Sequence, residues 1–455
     1  MNRSLSAFAR TCGGELIGAD RAFSGVSTDT RTLKPGELFV ALRGPRFNAN
    51  EFIAAAETAG AAGAVVDTRV DRSLAQVLVG DTQEALTRSS AAWRAQFTLP
   101  VVGVAGSNGK TTVKEMTGVI LARAGATLAT RGSLNNHIGV PLTLHRLETS
   151  HRFAVIEIGT NHPGEVAALC KLARPTVGLI TNAGAEHLEG FGSIEGAARA
   201  EGEMIAELDA EHTAIINADD EFAPLWRGMT RARIVTFGIK SPADFSASDV
   251  HTAIDGSGFV TRFKLLSPLG AIPIELHLAG QHNVANALCA AAAACAAGAS
   301  LDDVRLGLAT MRPVPGRLQF KTAPSGAWIV DDSYNANPSS MKAGIEVLAN
   351  VDARRWLVMG DMGELGDHGV ASHGEIGRFA RNHRIDRLFA TGKLSALAVE
   401  AFGSGGEWFS DTEAMARAVN AELTREVCVL VKGSRSNRLE RVVEALTGSG
   451  ASHGH

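Results

Sequence analysis

At 455 residues, against roughly 150 residues per domain, the chain has room for about three domains, so a single small module is excluded. Hydrophobic residues at 45% and charged residues at 20% match globular averages and exclude wholesale disorder or a coiled coil. A formal net charge of -4 argues against a surface that coats nucleic acid, while leaving room for a local basic pocket.

In chain order, Leu5, Phe8 and Cys12 recur at helical spacing, so the N-terminus reads as a first helix rather than a secretory signal. A turn-rich block over 24–36 and a strand over Glu37–Leu42 follow, in a segment without a clear strand-helix repeat. From Leu99 short β-rich runs alternate with helical stretches: Val101–Ala105, Phe153–Ile158, Thr176–Thr181 and Thr213–Asn217. That alternation predicts βαβ units and a parallel sheet. Residues 258–278 read as appended antiparallel strands, and Ala285–Ala299 as a close-packed Ala-rich internal helix rather than a membrane span. After a Pro/Gly-rich hinge over Arg312–Arg317, strands at Trp328–Asp332, Trp356–Met359, Arg387–Ala390 and Val427–Val431 predict a second, smaller doubly wound domain. The fold class is α/β with three domains: a small N-terminal α/β substrate domain at 1–98, a central P-loop parallel-sheet ATPase domain at 99–312, and a C-terminal Rossmann-like domain at 313–455. The last residues, 448–455, read as a solvated tail. Five scattered cysteines sit in apolar segments without metal-ligand spacing, which predicts buried free thiols in a reducing cytoplasm.

The strongest local motif is Gly103-x-x-Gly106-x-x-Gly109-Lys-Thr-Thr, a strand running into a Gly-rich loop and a helix. Glycines let backbone N–H groups turn toward phosphate oxygens, and the helix N-terminus favours negative charge. The spacing departs from the commonest P-loop, whose first Gly would fall at Val104. Lys110 is placed to reach terminal phosphates and the Thr111 hydroxyl to ligate Mg²⁺. A Mg²⁺ site needs a further hard oxygen, for which Glu157 at a neighbouring strand end is the candidate, the alternative being a partly exposed strand-end Glu. His187 reaches the same sheet edge, as a ligand to a second metal, a phosphate contact or a structural His.

Taken together, Gly106-Ser-Asn-Gly-Lys-Thr-Thr112, Asn135-Asn-His-Ile-Gly-Val-Pro141, Glu157-Ile-Gly-Thr-Asn-His-Pro-Gly-Glu165, Asn182-Ala-Gly-Ala-Glu-His187, Gly280-Gln-His-Asn-Val-Ala-Asn286, Pro315-Gly-Arg317 and Asp331-Asp-Ser-Tyr-Asn-Ala-Asn-Pro338 resemble the Mur ligases over nearly the whole chain. Lys110-Thr-Thr-Val-Lys-Glu-Met116 and Gly360-Asp-Met-Gly-Glu-Leu-Gly366 resemble the branch that adds D-alanyl-D-alanine. The resemblance implies an ATP-dependent acid–amino-acid ligase of peptidoglycan synthesis. Its partners would be UDP-N-acetylmuramoyl-tripeptide and D-alanyl-D-alanine, its cofactors ATP and Mg²⁺, and it would act as a cytoplasmic monomer without nucleic acid or membrane insertion. Either meso-diaminopimelate or Lys is compatible as the third tripeptide residue.

The resemblance also implies site roles. Gly106, Ser107, Asn108, Gly109, Lys110, Thr111 and Thr112 would bind ATP. So would Asn283 and Asn286, whose other reading is a capping or buried amide role, and Arg317, Asp332, Tyr334 and Asn335, Arg317 alternatively making a structural salt bridge. Thr111, Glu157 and His187 match Mg²⁺ positions, and Lys110, Glu157, His187 and Glu201 would be catalytic. Glu201 stands where these ligases commonly carry a carbamylated Lys, so it is either a shorter anionic metal ligand or a solvated helical Glu. Ser27, Asp29 and Arg31 resemble the uridine-diphosphate contact, with Asn48 and Asn50 replacing acidic and His residues of that region. Asn135, Asn136 and Arg435 would bind substrate, Arg435 holding a carboxylate or forming a basic rim. The competing readings are another Mur-type or folylpolyglutamate-type amide ligase, and a P-loop regulatory NTPase that releases phosphate without an amine acceptor.

Overall fold

The computed structural model describes residues 3–44, 47–185, 188–255 and 258–449. His187 and the end of the expected tail, 450–455, lie outside the described residues.

The first helix forms at Leu5–Cys12, where the Ser4 side chain accepts the Ala7 N–H and Leu5, Phe8 and Cys12 turn inward. The segment that shows no strand-helix repeat in sequence is nevertheless a five-stranded sheet. Val26–Ser27, Leu38–Val40, Gly63–Val66 and Gln76–Leu78 pair in parallel, and Glu15–Ile17 runs antiparallel at the edge. Strands of two to four residues are too short to establish a period against the surrounding turns, and this is why the pattern is invisible in sequence. The helix Thr82–Arg94, capped by Asp81, ends this unit. It also anchors the next one: Trp93 and Phe97 join the neighbouring core, and the Arg94 guanidinium donates to the carbonyls of Phe97, Ala173 and Arg174.

The central sheet has six parallel strands in the order Arg233–Phe237, Thr213–Asn217, Val177–Ile180, Val101–Ala105, Phe153–Glu157, Thr127–Ala129. Strand order reverses around Val101–Ala105, so the loop after it opens at a topological switch point, where doubly wound sheets bind ligands. Register aligns Glu157 with Val104 and Ile180 with Ala105, which brings the ends of three strands to one edge. The Ala-rich helix forms as Gln281–Ala296, with Ala287 through Ala294 all buried. Its small side chains let it lie close against the helix Lys110–Ala124 in a shared core. The antiparallel unit has three strands: Gly258–Ser267 and Gly270–Leu276 as expected, and Ser246–Asp255, which the sequence reading misses.

In the C-terminal sheet, Trp328–Asp332, Val427–Lys432, Arg354–Met359, Arg387–Thr391 and Gly406–Phe409 are parallel, with Gln319–Thr322 antiparallel at the edge. Here too register dictates chemistry, because Asp332 and Met359 both pair with Lys432. Cys12, Cys170, Cys289 and Cys428 are buried free thiols while Cys295 is half-buried. Burial pushes the Cys12 and Cys295 thiols up to about 11. No helix among the described residues is long and apolar enough to cross a membrane.

Candidate active site

The loop after Val101–Ala105 needs its glycines. Gly106 has φ of 121° and Gly109 of 86°. A Cβ would lie 2.1 Å from Thr181 Oγ1 at the first and 2.5 Å from Asn286 Oδ1 at the second, so any larger residue would force the loop off its neighbours. The loop is braced from the next strand end, since Ser107 N donates to the Asn182 carbonyl and Asn108 N to Asn182 Oδ1. The helix Lys110–Ala124 starts directly behind it and presents first-turn N–H groups that a helix cannot pair internally. Lys110 Nζ folds back onto the carbonyls of Gly106 and Ser107 at 2.5 and 3.0 Å.

Most of the expected residues share one cavity of about 620 Å³. Ser107 through Thr112, Asn135, Asn136, Glu157, Asn283, Arg317, Asp332, Tyr334 and Asn335 line it. Gly106 and Asn286 stand outside the lining, Asn286 donating to Asn283 Oδ1 at 3.1 Å and Asn283 to the Ala279 carbonyl at 2.8 Å. The buried amide network thus exists, with only Asn283 reaching the cavity.

Glu157 is fully buried, not a partly exposed strand-end residue. Its Oε1 accepts from Thr111 Oγ1 at 3.2 Å and from Asn135 Nδ2 at 2.9 Å, while its Oε2 has no hydrogen-bond partner. The nearest cation is Lys114, a fully buried residue 3.8 Å away. Lys114 Nζ also binds Glu115 and the carbonyls of Thr130 and Gly132. It thereby ties the loop leading to Asn135 to the phosphate-loop helix, a role that sequence reading passes over although Lys114 lies in a quoted motif.

The C-terminal unit closes the cavity from the other side. Arg317 Nη2 donates to Thr111 Oγ1 at 3.2 Å and its Nε is buried with no partner. Among the described residues no carboxylate lies within ion-pair distance of Arg317, so the alternative of a structural salt bridge is not made there; the guanidinium stacks 4.5 Å from the centroid of Tyr334. Asn337, which caps the helix Pro338–Ala349, donates from Nδ2 to Asn108 Oδ1 at 2.8 Å, and Asn108 Nδ2 donates to Ser339 Oγ at 3.1 Å. Asp332 pairs with the buried Lys432 at 2.7 Å; burial raises the carboxyl above its usual range, with Lys432 opposing the shift. Lys432 and the half-buried His282 line the same cavity and were not singled out by sequence. Burial, and then Lys432, pull His282 down to about 4.

Other expected residues fall elsewhere. Glu201 is 3% exposed and its Oε2 accepts the Gly106 N–H at 2.7 Å. This overturns the solvated-helix alternative, and the residue braces the phosphate loop without lining the cavity. Asp29 and Arg31 are turned on each other at 2.6 Å, which holds the Asp29 carboxyl down at about 2, and Ser27 Oγ donates to the Asp29 carbonyl. This trio lies outside the cavity. Asn50 Nδ2 donates to Asp67 and Asn48 Oδ1 accepts the Asn50 N–H, while Asn50 Oδ1 is buried without a hydrogen-bond partner. Asn136 Oδ1 accepts the N–H groups of Ile138 and Gly139 at the start of a helix. Arg435 borders an adjoining cavity.

Comparison with known proteins accords with this geometry. The Mur ligase middle domain matches residues 104–294 and the Mur ligase glutamate ligase domain matches 316–435. The UDP-N-acetylmuramoyl-tripeptide–D-alanyl-D-alanine ligase of Escherichia coli strain K12 is 43% identical over 98% of this chain and 99% of its own. Among solved structures, MurF from Acinetobacter baumannii superposes with a TM-score of 0.90 at 33% identity over 98% of this chain and 99% of that one. MurF ligase from Thermotoga maritima in complex with ADP gives 0.80 at 26% identity, covering 93% and 97%. With a phosphate loop at the sheet switch point, a second unit closed over it and full-length kinship of this order, the chain belongs to the Mur ligase family, among its UDP-N-acetylmuramoyl-tripeptide–D-alanyl-D-alanine ligases.

Proposed function

We propose that the cavity between the phosphate loop and the C-terminal unit is where this enzyme carries out ATP-dependent ligation of D-alanyl-D-alanine to UDP-N-acetylmuramoyl-tripeptide, in peptidoglycan precursor synthesis. The tripeptide carboxylate takes the γ-phosphoryl group of ATP to give an acyl phosphate. The dipeptide amine then attacks the acyl carbon, and the tetrahedral intermediate collapses to amide and phosphate. Such chemistry is chiefly positioning and charge neutralisation.

The observation that carries the assignment is a pair of atoms lining one cavity: Glu157 Oε2, an acceptor whose one close cation among the described residues is Lys114 at 3.8 Å, and Arg317 Nε, a donor, are both buried without a hydrogen-bond partner. Leaving such groups unmatched costs about 1–3 kcal/mol each, and more when charged. A bound phosphate chain satisfies the donor, and a divalent cation the acceptor. The hard-oxygen set of Thr111 Oγ1 and Glu157 fits Mg²⁺, which when bound would neutralise the phosphate oxygens. Lys110 holds the terminal phosphates, Arg317 meets them from the opposite domain, and the helix N-terminus at Lys110 adds backbone donors. Asn135 orients Glu157, while Asp332, Tyr334 and Asn335 bound the nucleoside end. Ser27, Asp29 and Arg31 receive the uridine diphosphate once the exposed ion pair opens. We infer that the enzyme works in the cytoplasm as a monomer, a location that fits its five unpaired, mostly buried cysteines.

The experiment is ADP release measured against UDP-muramoyl peptides with and without D-alanyl-D-alanine, with the product weighed by mass spectrometry. Release that depends on the tripeptide carboxylate, with a product heavier by the dipeptide, is expected. ADP formation without an acylated product would overturn the reading.

A further inference from the structure

An ammonium taken out of water is costly unless other groups compensate it, yet Lys114 is fully buried. Its Nζ sits between two walls. On one side it donates to the carbonyls of Thr130 and Gly132 at 2.9 and 3.1 Å and to Glu115 Oε1 at 2.7 Å. On the other lies Glu157 Oε2, 3.8 Å away and beyond hydrogen-bond reach. The ligation chemistry leaves this cation without a task, since Lys110 and Arg317 meet the phosphates and Lys114 stands behind the cavity lining.

The separation of Lys114 from Glu157 is held from both ends. An ammonium has three donors, and Glu115, Thr130 and Gly132 engage all of them. The loop that carries the two carbonyls is itself pinned: Thr130 N donates to the Val155 carbonyl, Thr130 Oγ1 accepts the Glu157 N–H at 3.0 Å, and Gly159 N donates to the Asn135 carbonyl. The lysine stem rises from the helix Lys110–Ala124. Lys114 is therefore near enough to balance the charge of Glu157 and is turned away from donating to it. Oε2 keeps its lone pairs open while the carboxylate is electrically compensated.

We propose that Lys114 is a positioning residue for the metal carboxylate, a fixed internal counter-ion that keeps Glu157 from taking up free Mg²⁺ and reserves it for Mg²⁺ arriving with nucleotide phosphates; the inference rests on the reading of Glu157 as a metal-binding carboxylate given above. A bare buried carboxylate attracts any divalent ion. One already paired with an ammonium presents little net charge, and the incoming ion also meets the repulsion of that ammonium. Phosphate oxygens restore the attraction, in keeping with the usual way Mg²⁺ is held, by one or two carboxylates together with substrate phosphates. A site that fills only with the nucleotide accepts the chelated ion without first discharging a resident one.

The test titrates Mg²⁺ into nucleotide-free full-length enzyme by calorimetry, in wild type, Lys114→Gln, Lys114→Arg and the double variant Lys114→Gln with Glu157→Gln. Glutamine removes the charge but keeps an amide donor for the loop carbonyls; Lys114→Met, which keeps the stem length, carries the same expectation should glutamine destabilise the fold. Lys114→Gln should bind free Mg²⁺ about tenfold tighter than wild type or more, as removing a cation this close to the site requires. Lys114→Arg should stay at the wild-type value, and the gain should vanish in the double variant. A lysine that only braced the loop would give the opposite sign, because a slackened loop loses affinity. Free-Mg²⁺ affinity that is unchanged or weaker in the folded variants overturns the proposal. Repeating the titration on ADP-bound enzyme separates the two readings. If Glu157→Gln weakens Mg²⁺ there while Lys114→Gln brings no gain without nucleotide, only the counter-ion role falls; if Glu157→Gln changes nothing, the metal reading of Glu157 falls with it.

Discussion

Arg317 and Thr111, 206 positions apart in sequence, meet at 3.2 Å through Nη2 and Oγ1. That contact joins the C-terminal unit to the first turn of the phosphate-loop helix, and the same hydroxyl donates to Glu157. Closing the C-terminal unit therefore completes the phosphate site instead of merely covering it. Arg317→Ala should lower kcat by roughly a hundredfold, the scale of losing one preorganised charge contact in a closed site, with folding unaffected. Small-angle scattering should show wild type contracting when an ATP analogue and muropeptide bind. The expected point of motion is the hinge over Arg312–Arg317, and identical dimensions in both states would remove that role.

Lys110→Ala should abolish ligation while leaving the melting temperature within a few degrees, because a loop charge is removed and no core packing is lost. Near-normal turnover would displace the phosphate site. Glu157→Gln separates metal from nucleotide: the amide can still accept from Thr111 and Asn135 but has no charge for a cation. Its Mg²⁺ titration should move to higher concentration more than its ATP titration does. Coincident titrations would reduce Glu157 to a structural residue.

The phosphate site is readable in sequence because its parts are local. Strand, glycines, Lys110 and Thr111 fall within a dozen consecutive residues, and each is there for a backbone or charge reason that composition displays. Glu157 is legible as a carboxylate at the end of an apolar run. What sequence hides is set by tertiary register. Lys432 becomes a buried partner of Asp332 only because two strands distant in sequence align there. Lys114 looks like a helix-surface lysine until the loop over Thr130 and Gly132 is folded against it. Asn286 sits beside the phosphate loop while its amide is occupied by Asn283. The N-terminal sheet escapes for a different reason, its parallel strands being shorter than the window in which a period can be recognised.

Two histidines give the fold an acid limit. Burial holds His145 down at about 3, where it meets Ser89 Oγ at 3.0 Å, and His282 at about 4. Above those values both are neutral in the folded protein, the fully enclosed His145 more firmly than the half-buried His282, while the unfolded chain protonates them near 6.5. Since the unfolded state binds more protons below that value, stability falls as pH drops from about 6.5 toward 4, and the loss levels off below the folded pKa values. Urea unfolding of wild type and His145→Gln at a series of pH values measures this. The variant should take up about one proton fewer on unfolding within that window. An equal pH slope in the two proteins would mean that His145 is not neutral when folded.

Glu201 stands at the position where the resemblance to the Mur ligases implies a carbamylated Lys. Its Oε2 accepts the N–H of Gly106 at 2.7 Å, so the side chain already fixes the entry of the phosphate loop. A native carboxylate needs no CO₂ to become anionic. Ligation should therefore be indifferent to CO₂ depletion and to mildly acidic pH that would strip a carbamate, over a range where Glu201 remains ionised. Glu201→Gln isolates the charge, because its amide oxygen can still accept from Gly106 and keep the loop in place. If the negative charge serves the metal-phosphate cluster, as a ligand directly or through water, this variant should fold normally and lose most of its turnover. Glu201→Lys should then recover only with added bicarbonate, the carbamate supplying an anion on a longer stem. Full activity in Glu201→Gln would show that the hydrogen bond to Gly106 is its entire contribution, and that the anionic side of the cluster rests on Glu157 and substrate oxygens.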